Sequence, residues 1–122
     1  MLLALTLLSA LHIGAPADSV VGAWRINGEV GGTAWTEVCT FAATGAALSG
    51  NCIGDAGQPF PLTGELKDGK ISFKHGGDYQ GQEITILFDG ALGTPTELKG
   101  TVLVKPFDAS GTFTASPVPP KK

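Results

Sequence analysis

The sequence predicts a single all-β domain, an eight-stranded antiparallel up-and-down β-barrel, and two observations predict it. First, an apolar residue, a spacer, a glycine, a spacer and a second apolar residue recur six times: Val20-Val-Gly22-Ala-Trp24, Leu48-Ser-Gly50-Asn-Cys52, Leu62-Thr-Gly64-Glu-Leu66, Phe88-Asp-Gly90-Ala-Leu92, Leu98-Lys-Gly100-Thr-Val102 and Ala109-Ser-Gly111-Thr-Phe113. Side chains alternate between faces along a strand, so the marked residues of each repeat share one face with glycine at its centre. Glycine there weakens the strand unless the backbone bends or a neighbouring side chain needs the space, and a small closed barrel requires both. Second, every link between periodic segments is too short for a crossover helix, which makes consecutive strands antiparallel neighbours.

Taken in order, the predicted strands cover residues 20–27, 34–42, 47–54, 60–67, 70–75, 82–92, 98–105 and 110–115. The first sends Trp24 and Ile26 inward, and the second Trp35, Glu37, Cys39 and Phe41. A turn at residues 44–47 sets Ala43 against Leu48, Phe41 against Gly50 and Cys39 against Cys52. Asp68-Gly69 is a two-residue turn whose twist matches the strands, and it pairs Leu66 with Ile71, Gly64 with Phe73 and Leu62 with His75. An aromatic ring lying over a glycine recovers the packing that glycine forfeits. A loop at 93–97 pairs Leu92 with Leu98 and Phe88 with Val102, and Phe113 anchors the last strand. The alternate positions are mostly Thr, Ser, Asn, Lys and acids, with Leu87, Leu103, Val21 and Val38 as apolar exceptions. One dry face and one wet face suit an antiparallel sheet, and closing it removes the exposed edges.

Residues 2–11 form an apolar run that ends in Ala15-Pro16-Ala17, which reads as a secretory signal cleaved after Ala17, although no Lys or Arg precedes the run. The expected organisation is therefore a signal at 1–17, a barrel at 18–116 and a disordered Pro/Lys tail at 117–122. His12 falls within the signal. The run is too short to span a bilayer as a helix. All eleven acids lie after residue 17, against eight bases of which two are the terminal Lys121 and Lys122. That mildly acidic body argues against nucleic acid or anionic lipid as principal partner, since both demand clustered Lys and Arg.

The G-x-W start (Gly22-Ala-Trp24), the hairpin from Phe41 to Gly50, the run Gly64 to Phe73 and the closing Gly111-Thr-Phe-Thr-Ala115 together resemble the small secreted bacterial lipocalin-like, calycin-type barrel proteins. The resemblance covers nearly all of the chain after the signal. It implies the barrel and carries over no particular ligand.

Cys39 and Cys52, opposite each other in a hairpin of an exported chain, read as a disulfide. A metal at this pair is not expected, because no second Cys or His cluster in the sequence completes four ligands. His75 ends a strand on the inward side beside Gly76-Gly-Asp-Tyr79, where a hydrogen-bonded or solvated role is the ordinary one. Glu37 has inward parity between Trp35 and Cys39. A buried carboxylate must meet a polar ligand, pair with a donor, or be turned outward by a bulge. The bulge or rim is the expected outcome, because the strand nears its sheet end there. Trp35, Glu37, Phe60, His75 and Tyr79 are the candidate ligand contacts at one barrel mouth.

No catalytic residue is nominated: a nucleophile, a base and an orienting group do not come together in recognisable form. The glycines alternate within strands instead of preceding a helix, so no phosphate loop or cofactor is called for. The expected function is that of a non-catalytic exported barrel, periplasmic or secreted, binding a small apolar or amphipathic ligand. The alternative is a filled barrel acting as a structural or protein-interaction module of the cell envelope.

Overall fold

A computed structural model describes residues 16–119. Eight strands close into one antiparallel barrel in sequence order: β1 (Gly22–Val30), β2 (Thr33–Thr44), β3 (Ala47–Gly54), β4 (Pro59–Lys67), β5 (Lys70–Tyr79), β6 (Gln82–Thr94), β7 (Glu97–Lys105) and β8 (Ala109–Pro117). Cys39 faces Cys52, Phe41 faces Gly50, Phe73 faces Gly64, Phe88 faces Val102 and Leu92 faces Leu98, as the hairpin arithmetic expects. Asp68 and Gly69 both have positive φ, the mirror-image turn that matches strand twist.

The glycines at the centre of the repeats are places where strands or rings press together. A Cβ on Gly64 would lie 2.2 Å from the carbonyl oxygen of Ser72 and 2.5 Å from Cβ of Phe73. Phe73 stacks on Phe88 with ring centroids 4.3 Å apart, and Phe41 and Phe113 meet that stack edge-on. All four rings are buried. Each such burial contributes about 2–3 kcal/mol, and each well-oriented ring pair about 1 kcal/mol more.

Two features depart from the expected pattern. Val20 does not begin the first strand: a 3-10 turn, Ala17–Val20, precedes β1 and tucks Ala17 and Val20 into the core. The indole N–H of Trp24 donates to the Val20 carbonyl oxygen at 2.9 Å, which ties the turn across the barrel end. At the other terminus β8 runs to Pro117, and the N–H of Val118 donates to the carbonyl oxygen of Ala23, so pairing continues past the expected start of the tail. The expected signal run lies outside the described residues apart from Pro16 and Ala17. Among the described residues no helix is long and apolar enough to cross a membrane.

The barrel therefore has two unlike ends. The 3-10 turn and the 45–46, 68–69 and 95–96 turns mark one, and the 31–32, 55–58, 80–81 and 106–108 connections mark the other.

Candidate functional site, a buried acid–imidazole pair below one barrel mouth

β2 enters from the end opposite the 3-10 turn, and its alternation sends Trp35, Glu37 and Cys39 inward in succession. Glu37 pairs with Ile26 on one side and Gly54 on the other in unbroken register, so no bulge turns it outward. The expected bulge is corrected. Glu37 is 6% exposed and remains inside because it finds donors: His75 Nε2 lies 3.0 Å from its Oε2, and the indole N–H of Trp35 donates to the same oxygen at 3.2 Å.

His75 is itself 5% exposed and comes from β5, across the lumen from β2. Its Nδ1 lies 2.6 Å from the Gly76 carbonyl oxygen. A carbonyl only accepts, so Nδ1 carries a proton. Burial by itself lowers the imidazole's pKa, but the hydrogen bond to Glu37, its negative charge and the Gly76 carbonyl together outweigh that, and the pKa rises above its ordinary 6.5. The paired, charged imidazolium–carboxylate form is thereby favoured.

Aromatic rings enclose the pair. Phe60, half-buried on β4, lies at a centroid distance of 6.2 Å from His75 and Phe88 at 5.6 Å, both in stacked orientation. Trp35 is half-buried over Gly28, where a Cβ would come within 2.5 Å of its ring. Four of the five candidate contacts, Trp35, Glu37, Phe60 and His75, thus form one continuous group. Tyr79 stands apart, half exposed at the rim and edge-on to Phe107 at 6.2 Å. Phe107 was not legible in advance, since it sits in a connection outside any period-two run. Ile86 and Val104 face each other across β6 and β7 and are partly buried against the same core.

The Cys39–Cys52 disulfide is present, with a Cα separation of 4.0 Å. The two residues are directly opposed across the ladder. Both are fully buried beside the pair: the donor atoms of Glu37, Cys39, Cys52 and His75 all lie within 4.8 Å of one another. Sequence spacing alone did not suggest a four-ligand set around the cysteines, and the fold supplies the missing two members from β2 and β5. Two depressions, of about 310 and 240 Å³, open around Asn27 and Thr114, and none of the four ligand-bearing residues lines them.

No family model matches the chain, and no curated protein matches it. Solved structures do. A redesigned β-barrel superposes with a TM-score of 0.67 at 14% identity, covering 84% of this chain and 95% of its own. The redesigned barrel mFAP1, bound to DFHBI, gives 0.60 at 14% identity over 82% of this chain and 96% of its own. A third, EF1p2_mFAP2b bound to DFHBI, gives 0.59 at 14% identity over 84% and 96%. The likeness is one of fold. It agrees with the eight-stranded antiparallel barrel read from the sequence, and the disulfide is compatible with an oxidising location.

Proposed function

We propose that this chain is a non-catalytic binding barrel that takes a small apolar or amphipathic molecule at the end carrying Trp35, Phe60 and the Glu37–His75 pair. The observation that carries the reading is the asymmetry of the ends. One end is stoppered by Val20 and tied by Trp24, while the other presents half-buried rings above a buried pair of hydrogen-bonding groups. Apolar walls with a few convergent polar groups are the usual composition of a small-molecule site. In this reading Trp35 and Phe60 supply contact area, Glu37 and His75 supply one polar anchor, and Tyr79 with Phe107 edges the entrance. The DFHBI-bound neighbours support the capacity of such a barrel to hold a small molecule, which is a warrant from fold.

The non-catalytic character rests on chemistry. Both ring nitrogens of His75 are engaged and the two nearby sulfurs are bonded to each other, which suits an anchoring role for the pair. Export to an oxidising compartment, periplasmic or extracellular, is the matching location for the disulfide.

A second reading is a filled barrel that serves as a structural or interaction module. It is favoured by the four-phenylalanine stack across the middle of the lumen and by the exposed side chains of Val21, Ile53 and Phe107. Titration of the disulfide-bonded protein with 1-anilinonaphthalene-8-sulfonate and with fatty acids, followed by tryptophan fluorescence, separates the two. Binding predicts a saturable one-to-one response that Trp35→Ala weakens without unfolding the protein. No response from any probe removes the binding reading and leaves the filled module.

A further inference from the structure

The same residues hold a second chemistry that is independent of any organic ligand. We propose that reduction of the Cys39–Cys52 disulfide by a dithiol opens a four-ligand site for a thiophilic divalent cation, Zn²⁺ above all, formed by both thiolates, His75 Nε2 and a carboxylate oxygen of Glu37.

The donor set is already assembled. Its four ligand atoms lie within 4.8 Å of one another and all four residues are buried, so a cation among them would be shielded from water. Two thiolates with an imidazole and a carboxylate are the ligand types that Zn²⁺ takes in tetrahedral geometry, at about 2.0–2.3 Å. Hard cations are disfavoured by the two sulfurs.

The outer contacts are those of a ligating histidine. Such a residue donates its second ring N–H to a carbonyl or carboxylate, which fixes the tautomer and aims the other nitrogen at the metal. Here Nδ1–H is held by the Gly76 carbonyl oxygen and Nε2 points at Glu37, while the Trp35 indole N–H steadies the carboxylate. Since Nδ1 keeps its proton, a contact between Nε2 and an ionised carboxylate requires a second proton between them. A cation at this point replaces that proton.

The chemistry balances. The disulfide accepts two electrons and two protons from the dithiol, which leaves as its cyclic disulfide, and two cysteine thiols result. Metal binding then releases both thiol protons and the proton at Nε2 to solvent. Because a sulfur bonded to its partner is not a thiolate, the disulfide and the four-ligand metal site exclude each other, and the barrel has either a covalent cross-link or a metal cross-link between β2 and β3.

The test uses the whole chain, reduced with a water-soluble phosphine and desalted without oxygen, with Co²⁺ alone as probe. One equivalent of Co²⁺ is expected to give a thiolate-to-cobalt charge-transfer band and the visible bands of tetrahedral cobalt, both erased by Zn²⁺. Zn²⁺ should also raise the melting temperature of the reduced protein. His75→Gln and Glu37→Gln should each lower Zn²⁺ affinity at least about tenfold while the charge-transfer band persists at higher cobalt. Cys39→Ser/Cys52→Ser should lose that band entirely. If the reduced chain is unfolded without metal, Zn²⁺ should restore its β-sheet circular dichroism. A reduced, folded protein with no charge-transfer band overturns the proposal, as does a reduced chain left unfolded by Zn²⁺. Equal cobalt binding by the oxidised protein overturns it as well.

Discussion

Replacing His75 by Leu while leaving Glu37 in place tests the physical reading of the buried pair. The carboxylate would remain 6% exposed with Trp35 Nε1 as its donor. That leaves a buried polar group short of a hydrogen-bond partner, at a cost of about 2 kcal/mol. The Gly76 carbonyl also loses its partner, for about 1 kcal/mol more. The sum, about 3 kcal/mol, meets the lower end of the range for breaking a buried ion pair from one side. Glu37→Leu should cost less, about 1–2 kcal/mol, because the imidazole sheds its charge and keeps its bond to Gly76. The double variant replaces both partners by apolar groups and should return to within about 1 kcal/mol of the parent. Urea unfolding of the four disulfide-bonded proteins then yields a coupling of about 3–5 kcal/mol. Single effects that add to the double effect within about 0.5 kcal/mol would refute the pair as an interacting unit.

The raised folded pKa of His75 has a definite sign: its contribution is fully present below the unfolded value near 6.5 and is lost as pH rises through the folded value. The parent's urea midpoint should therefore decline as pH rises from about 6.5 through the folded value, and the double variant should lack the decline. Gly64→Ala forces a Cβ against the Ser72 carbonyl oxygen and Phe73 Cβ, neither at the end of a flexible chain, and should cost about 3 kcal/mol in the same assay. Trp24→Ala, which empties a buried indole site and releases the 3-10 turn, should cost about 3–5 kcal/mol in thermal or urea melts, with Trp35→Ala costing clearly less. Reduction without added metal should lower stability by roughly 3 kcal/mol on the loop-entropy account of a cross-link spanning 13 residues, seen as a lower melting temperature.

What was legible in the sequence is what depends on neighbouring strands. Register follows from turn length and period-two parity, so Cys39 opposite Cys52 and Phe73 opposite Gly64 could be counted out from the turns. The Glu37–His75 contact joins β2 and β5, which are not adjacent, and contact across a lumen depends on strand tilt and barrel diameter, which parity does not encode. Parity did bring both residues inward and toward the same end, and the need of a buried carboxylate for a donor was the available signal. Val20 misled because its spacing to Gly22 and Trp24 continues the strand pattern, whereas the chain turns at Val21 and seats Val20 in the barrel end. Phe107 is missed for the opposite reason: a rim side chain in a connection carries no periodicity.

Whether one end of the barrel receives a ligand while the other is a stopper is read from ¹H–¹⁵N correlation spectra of the disulfide-bonded protein with and without 1-anilinonaphthalene-8-sulfonate. Saturable shifts are expected at the Trp35 indole and at the amides of Glu37, Phe60, His75 and Tyr79, with those of Val20 to Trp24 unmoved. Shifts centred on the 3-10 turn, or spread evenly over the outer wall, would contradict it.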